Sequence, residues 1–279
     1  MRVAFVQTSP RLGEVRRNLE EAWSLIERVK EADLAVLPEL FHSGYAVRNK
    51  EEARALAVSH NANSEPVAMC LDAARQFRMN LAGGFLERDE SSQNLYNSAW
   101  IIGPGGIIGA YRKIHPFDRE WDIFTPGEKE PPVVSAAGAR VSMQICFDWA
   151  FPEIWGKLAW GDEGKNGAQV IAHPVNLVLP DACPIAVRAR ALENRIYVVC
   201  AGRVGTDPGP DGEIIFRGGS RIVAPDGSIL ASGSEDKPGC EMVTIDPAQA
   251  DDKYLTPRNH VLRQRFGTFS GESRGDESG

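Results

Sequence analysis

The sequence predicts an α/β protein built from mixed sheets, each covered by helices on one face. Three observations carry that prediction. The first third of the chain alternates short apolar strands with helices at 3.6-residue spacing, and this β-α-β-α order connects naturally by right-handed crossovers between parallel strands. From about residue 80 the rhythm changes to hairpins, with turn signals at Gly103-Pro104-Gly105-Gly106, Ala137-Gly138 and Ala224-Pro225-Asp226-Gly227. Helices then return among further apolar strands between residues 154 and 201. Crossovers mixed with hairpins point to mixed sheets rather than to one purely parallel, doubly wound sheet.

Residues 2–7 read as a buried strand. Residues 18–30 carry apolar side chains at Leu19, Ala22, Trp23, Ile26 and Val29, which is helical spacing. Residues 34–37 are a second buried strand, stopped by Pro38. Residues 64–77 form the next helix, with Ser64 and Glu65-Pro66 suited to its first turn. Strands follow at 81–86, 95–102 and 107–111, and residues 133–134 pair with 140–145 in another hairpin. A helix at 154–160, a strand at 168–172, a helix at 184–195 and a strand at 197–201 come next. Residues 214–223 and 228–231 flank the Ala224–Gly227 turn, and 241–245 is the last strand. No linker-like shift in composition occurs before about residue 262. Residues 1–262 are therefore expected to form one domain, and 263–279, only Ser, Gly and charge towards the end, a flexible or strap-like tail.

A chain of 279 residues with 43% hydrophobic and 25% charged residues has the make-up of an ordinary globular protein. Its net charge of −7 and lack of a basic stripe argue against nucleic acid as a partner. No apolar run approaches the roughly 20 residues needed to span a bilayer, and the N-terminus lacks the long apolar region of a signal peptide. Cysteines at 70, 146, 183, 200 and 240 form no CxxC pair and leave one over if paired. That argues against a disulfide framework and a cysteine zinc site, and places the protein in the cytosol.

Each thiol must then be explained singly, and Cys146 stands apart. It ends the apolar run Val141 to Ile145, Asp148 follows two positions on, and Phe151-Pro152-Glu153 opens a helix. A thiol on a sharp strand-to-helix turn is exposed on one side and faces backbone N–H groups on the other, a suitable place for a nucleophile. Leu37-Pro38-Glu39 puts a carboxylate after a buried strand, and Tyr111-Arg112-Lys113 puts an amine at the end of a hairpin strand. Glu120 lies seven residues further on, ahead of Phe124-Thr125-Pro126-Gly127. Taken alone, these three are an ordinary loop glutamate, an edge-strand lysine and a surface charge. Together they answer one chemical problem. Attack on an amide or nitrile carbon needs a thiolate, a base for the thiol proton, a proton for the departing nitrogen, and positive charge where the oxyanion grows.

Leu37-Pro38-Glu39-Leu40-Phe41 with Gly44-Tyr45, then Tyr111-Arg112-Lys113-Ile114-His115, then Cys146-Phe147-Asp148 before Phe151-Pro152-Glu153, resemble the carbon–nitrogen hydrolase (nitrilase) superfamily, and its amidase-like branch in particular. Tyr96-Asn97-Ser98, Arg190 to Arg195, Gly219-Ser220 and the Pro225-Asp226-Gly227 turn extend the resemblance over roughly residues 1–247. It implies an α-β-β-α sandwich that pairs into an α-β-β-α-α-β-β-α stack, as a homodimer or higher homo-oligomer. It also implies Glu39 as general base, Lys113 as oxyanion-stabilising cation and proton donor, Cys146 as nucleophile, and Glu120 as a positioner of substrate and lysine. The backbone N–H of Phe147 would complete the oxyanion hole. Tyr45, Trp149 and Asn176 would wall the pocket, together with the rest of the segment His173 to Pro180. No metal or organic cofactor is implied.

The activity to expect is hydrolysis of a small aliphatic amide to acid and ammonia through a thioester, with N-carbamoyl amine hydrolysis and nitrile hydrolysis as alternatives. Cys-Phe-Asp stands where nitrilases tend to carry Cys-Trp-Glu, and Trp149-Ala150 where carbamoylases for amino acids often place arginines. Two other readings are weaker. His115 and His173 would suit a papain-like cysteine–histidine pair, but nothing around Cys146 matches the papain-type signature. A catalytically silent interaction module would be expected to have lost a catalytic residue, and none is lost here.

Overall fold

Two six-stranded sheets lie face to face, with helices on both outer sides. The computed structural model describes residues 1–60, 64–162, 164–179, 181–209 and 212–267. The chain runs through β1 (Arg2–Gln7), α1 (Val15–Arg28), β2 (Leu34–Val36), α2 (Lys50–Leu56), α3 (Glu65–Phe77), β3 (Asn80–Arg88), β4 (Leu95–Gly103), β5 (Gly106–Arg112) and α4 (Glu120–Ile123). It continues through β6 (Val134–Ala136), β7 (Ala139–Met143), α5 (Pro152–Trp160), β8 (Val170–Pro174), α6 (Ala182–Asn194), β9 (Tyr197–Ala201), β10 (Val204–Gly209) and β11 (Gly212–Arg217). The last elements are β12 (Arg221–Val223), β13 (Ile229–Ser232), β14 (Gly239–Thr244), β15 (Tyr254–Thr256), β16 (Asn259–His260) and α7 (Val261–Phe266).

The first sheet has the order β14-β1-β2-β3-β4-β5, and the second β13-β12-β9-β8-β7-β6. The centre of each is parallel, β1-β2-β3 in one and β7-β8-β9 in the other, with antiparallel strands at the edges. The expected mixed sheets are thus present, and so is the α-β-β-α layering.

The strands lack polar alternation because both of their faces are covered. Along β1, Val3 and Phe5 join Val141, Met143, Val170 and Ala172 of the second sheet in the central core, while Ala4 and Val6 pack under α1 and α3 with Leu19, Ile26 and Cys70. Trp155, Leu158, Val187 and Ala191 bring α5 and α6 onto the other outer face. Among the described residues, no helix is long and apolar enough to cross a membrane.

Four features differ from the sequence reading. Residues 214–223 are not one strand. The chain breaks at Gly218 and Gly219, where φ is +46° and +75°, and a Cβ at Gly218 would run into Ser234 O and the Gln7 side chain. On the near side of that break β11 pairs with β10 in a separate hairpin, whose Gly205 and Pro208 disguise it as loop. The short helices α2 and α4 were not foreseen either. Finally, 241–245 is not the last strand. A β15–β16 hairpin follows, and α7 crosses residue 262 with Phe266 against Trp160 (ring centroids 6.0 Å apart). Ordered chain therefore continues past the expected boundary, and the end of the expected tail (268–279) lies outside the described residues.

Candidate active site

The central parallel strands of both sheets end on the same side, and the ends of β2, β7 and β8 and of hairpin strand β5 meet there. Strand ends of this kind expose side chains from a rigid base, the usual place for ligands in α/β sheets. Glu39 lies just beyond β2, in a turn laid against β3. Gly84 N–H donates to Pro38 O at 3.0 Å, and a Cβ at Gly84 would run into the Glu39 Cα, so only glycine lets the two segments come this close. Lys113 directly follows β5, its N–H bonded to Asn97 O on β4 at 2.8 Å.

Past β7, Gln144 N–H donates to Ala172 O at 3.0 Å, and the chain then turns into a short 3₁₀ helix, Cys146–Ala150. Cys146 opens that turn at φ +38°, a sparsely populated conformation for a residue with a side chain. The surroundings hold it there. The buried Asp148 carboxylate folds back to accept hydrogen bonds from Ile145 N–H (2.9 Å), the Tyr111 hydroxyl (2.9 Å) and His115 Nδ1 (2.8 Å). His173 Nε2 donates to Cys146 O at 3.1 Å while its ring stacks on Trp155. Burial lowers the His173 pKa to about 4, so this ring is a neutral donor. Phe147 is the second residue of the 3₁₀ turn, a position whose backbone N–H has no partner within the helix.

The four polar side chains converge. Lys113 Nζ lies 2.9 Å from Glu39 Oε1 and 3.0 and 2.8 Å from the two oxygens of Glu120. Asn97 Nδ2 donates to Glu39 Oε1 at 2.7 Å, whereas Glu39 Oε2 is buried without a partner among the described residues. Glu120 also accepts from the Tyr45 hydroxyl (2.9 Å) and from Phe117 N–H (3.1 Å). Asn176 Nδ2 donates to Glu39 O at 3.0 Å, and Cys146 Sγ lies 3.5 Å from Asn176 O.

Burial sets the electrostatics. It raises the Glu39 pKa above its ordinary 4.5; the Lys113 charge opposes the rise and the Glu120 charge adds to it. Burial and then the Glu39 charge push the Cys146 thiol well above its usual range, against the pull of Lys113. Burial alone would lower Lys113, but the Glu120 and Glu39 carboxylates outweigh it and hold the amine protonated. The resting site therefore contains a neutral thiol, a firm cation, and a carboxylate with one free oxygen.

All four residues singled out in the sequence are brought together. Phe147, Trp149 and Asn176 line the cleft at Cys146, while Tyr45 sits on the far side of Glu120. The two histidines support the Cys146 turn and make no bond to its sulfur: His115 stacks on Phe151 with ring centroids 3.6 Å apart and bonds Asp148, and His173 bonds the Cys146 carbonyl. Two further residues belong to the site: Asn97, which the sequence marks only through the Tyr96-Asn97-Ser98 resemblance, and Asp148, whose place two residues after the cysteine is its signal.

A thiol, two carboxylates and an amine gathered at the strand ends of an α-β-β-α sandwich are the groups a cysteine-dependent hydrolase needs. Residues 2–253 match the family model described as carbon-nitrogen hydrolase. Over 267 residues the chain is 38% identical to a protein of Pyrococcus abyssi named nitrilase, covering 95% of this chain and 97% of that one. It is 30% identical to an (R)-stereoselective amidase of Pseudomonas sp. over 94% of this chain and 93% of that one. The crystal structure of an amidase from Nesterenkonia sp. AN1 superposes with a TM-score of 0.77 at 28% identity, covering 91% of this chain and 96% of that one. In one structure of that amidase, acrylamide has undergone Michael addition at the active-site cysteine. The chain belongs to the carbon–nitrogen hydrolase family, the nitrilase superfamily, and is a hydrolase of that kind.

Proposed function

We propose that the protein hydrolyses a small-molecule primary amide to a carboxylic acid and ammonia, with Cys146 as nucleophile. The observation that carries this reading is the Lys113 amine, held between two buried carboxylates of which Glu39 keeps one oxygen free. Glu39 takes the thiol proton as Cys146 Sγ bonds to the amide carbon. The oxyanion forms between Lys113 Nζ and the Phe147 N–H, in a dry site where such donors are strongest. Collapse breaks the C–N bond; the proton held by Glu39 passes to nitrogen, and ammonia leaves a thioester on Cys146. Glu39 then takes a proton from water as the water oxygen bonds to the thioester carbon; the C–S bond breaks, Glu39 returns the proton to Sγ, and the acid departs. Glu120, fixed by Tyr45 and Phe117, holds Lys113 in place. The small aliphatic amide expected from the sequence fits this chemistry. The 38% identity to a protein named nitrilase supports nitrile hydrolysis as a second reading, on the same thiol.

The raised pKa of Glu39 gives the test. A base must be deprotonated to work, so kcat/KM for ammonia release should fall as pH drops through a value above the ordinary 4.5. An acid limb at or below 4.5, or one unmoved in Glu39→Gln, would remove Glu39 from this role.

A further inference from the structure

We infer that the large cavity beside the Cys146 cleft is an acyl-group pocket, and that the substrate is a primary amide with a bulky apolar acyl chain, on the order of six to ten carbons. This rests on the amide-hydrolase reading and makes the acyl group larger than the short aliphatic one the sequence suggests. At Cys146 itself the free space is only about 10 Å³, room for about one water and too little for an acyl chain. Next to it lies a cavity of about 540 Å³, within the roughly 300–1,000 Å³ of pockets that take drug-sized ligands. Phe117 and Val178 line both spaces, and Tyr45 and Glu120 belong to the wall of the larger one. A chain attached to a carbonyl carbon at Cys146 therefore leads into the cavity past Phe117.

The walls fit an apolar chain: Val47, Phe117, Ile123, Phe124, Val178 and Ile214. Charged groups of both signs also line the cavity, Arg48 and Arg119 with Asp118 and Glu120, and these balance in number. The far wall is fixed in place. Arg203 and Asp207, each 1% exposed, pair at 2.7 Å at the base of the β10–β11 hairpin. Asp207 Oδ2 accepts from the N–H groups of Tyr45 (2.9 Å) and Ala46 (3.1 Å), tying hairpin to loop. The Arg203 guanidinium sits 4.1 Å over the Phe216 ring, which in turn meets the Tyr45 ring. A pocket whose wall is tied down in this way is formed before substrate arrives and pays little ordering cost on binding.

The test measures ammonia release for straight-chain primary amides from acetamide to decanamide, beside an N-alkylacetamide series followed by acetate release. The expected result is a kcat/KM that climbs roughly three- to tenfold per methylene from propionamide to about octanamide, with no such climb for N-alkyl length. Ile214→Trp and Val47→Trp, both on the outer wall, should each lower the octanamide-to-propionamide ratio of kcat/KM at least about tenfold. Either one is informative if circular dichroism shows it folded, and the parent series stands without them. A flat or falling acyl profile with ammonia still released would overturn the inference and leave the hydrolase reading standing. A climb confined to the N-alkyl series, or unchanged ratios in folded variants, would also overturn it. Release from no amide at all would remove both.

Discussion

Replacing Cys146 with alanine is expected to cut amide turnover by a factor on the order of 10⁵ or more, as loss of a covalent nucleophile does in other hydrolases. The size follows from the division of labour at the site. In the proposed mechanism Lys113 and the Phe147 N–H act on an oxyanion only after a nucleophile has attacked, and without Sγ the alternative is direct attack by water. The fold should be almost indifferent. Among the described residues Cys146 Sγ makes one weak hydrogen bond, 3.5 Å to Asn176 O, and the turn is held by Asp148 and His173 through backbone groups that alanine retains. The unfolding free energy should change by less than about 1 kcal/mol. Steady-state kinetics with chemical denaturation on the same preparation checks both halves. Substantial turnover in the folded variant would show that the thiol is not the nucleophile.

Lys113→Met should damage the protein in two ways at once. Removing the oxyanion donor should lower kcat by about 10²–10³. The second effect is on stability, because Lys113 is 1% exposed between carboxylates that are 0% and 4% exposed. Deleting the cation leaves two buried carboxylates facing each other, and breaking such a buried group costs about 3–5 kcal/mol at neutral pH. The pH dependence has a definite sign. Glu39 is already raised above 4.5 in the parent, and loss of the opposing Lys113 charge raises it further. A carboxyl whose folded pKa exceeds its unfolded value contributes stability that is fully present below the unfolded value and is lost as pH rises through the folded one. The penalty should therefore shrink as pH falls towards 4.5, and denaturation midpoints at several pH values would reveal it. A penalty that grows on acidification would contradict the buried-carboxylate account.

The layers and the catalytic constellation were legible in the sequence for different reasons. Apolar runs such as those of β1 and β2 announce strands covered on both faces, and Pro38 and the Gly103–Gly106 turn mark where strands stop. Cys146 could not have been chosen by burial, because Cys70, Cys183 and Cys200 are buried as well. Its neighbours distinguished it: an acid two residues on, able to fold back under the turn, and Pro152 to start a helix. What stayed hidden depends on partners far apart in the chain. Asn97 reaches Glu39 across 58 positions, and Asp207 reaches the Tyr45 N–H across 162. The β10 strand, with Gly205, Pro208 and Gly209, has no local strand signal and exists because β11 pairs with it. The acyl cavity was hidden for the same reason, since its wall joins the Tyr45 loop, α4 and that hairpin.

Cleavage of a carbon–nitrogen bond through a thioester leaves the acyl group on Cys146 until water removes it. Acid quenching in the first turnovers with a slowly deacylating amide, followed by intact-mass and peptide mass spectrometry, tests it most directly. The expected result is a mass increase equal to the acyl group, on the peptide containing Cys146, labile to hydroxylamine and missing from Cys146→Ala. Ammonia release at the full rate with no acyl mass on Cys146 at any quench time, or an acyl group carried by another residue, would contradict it.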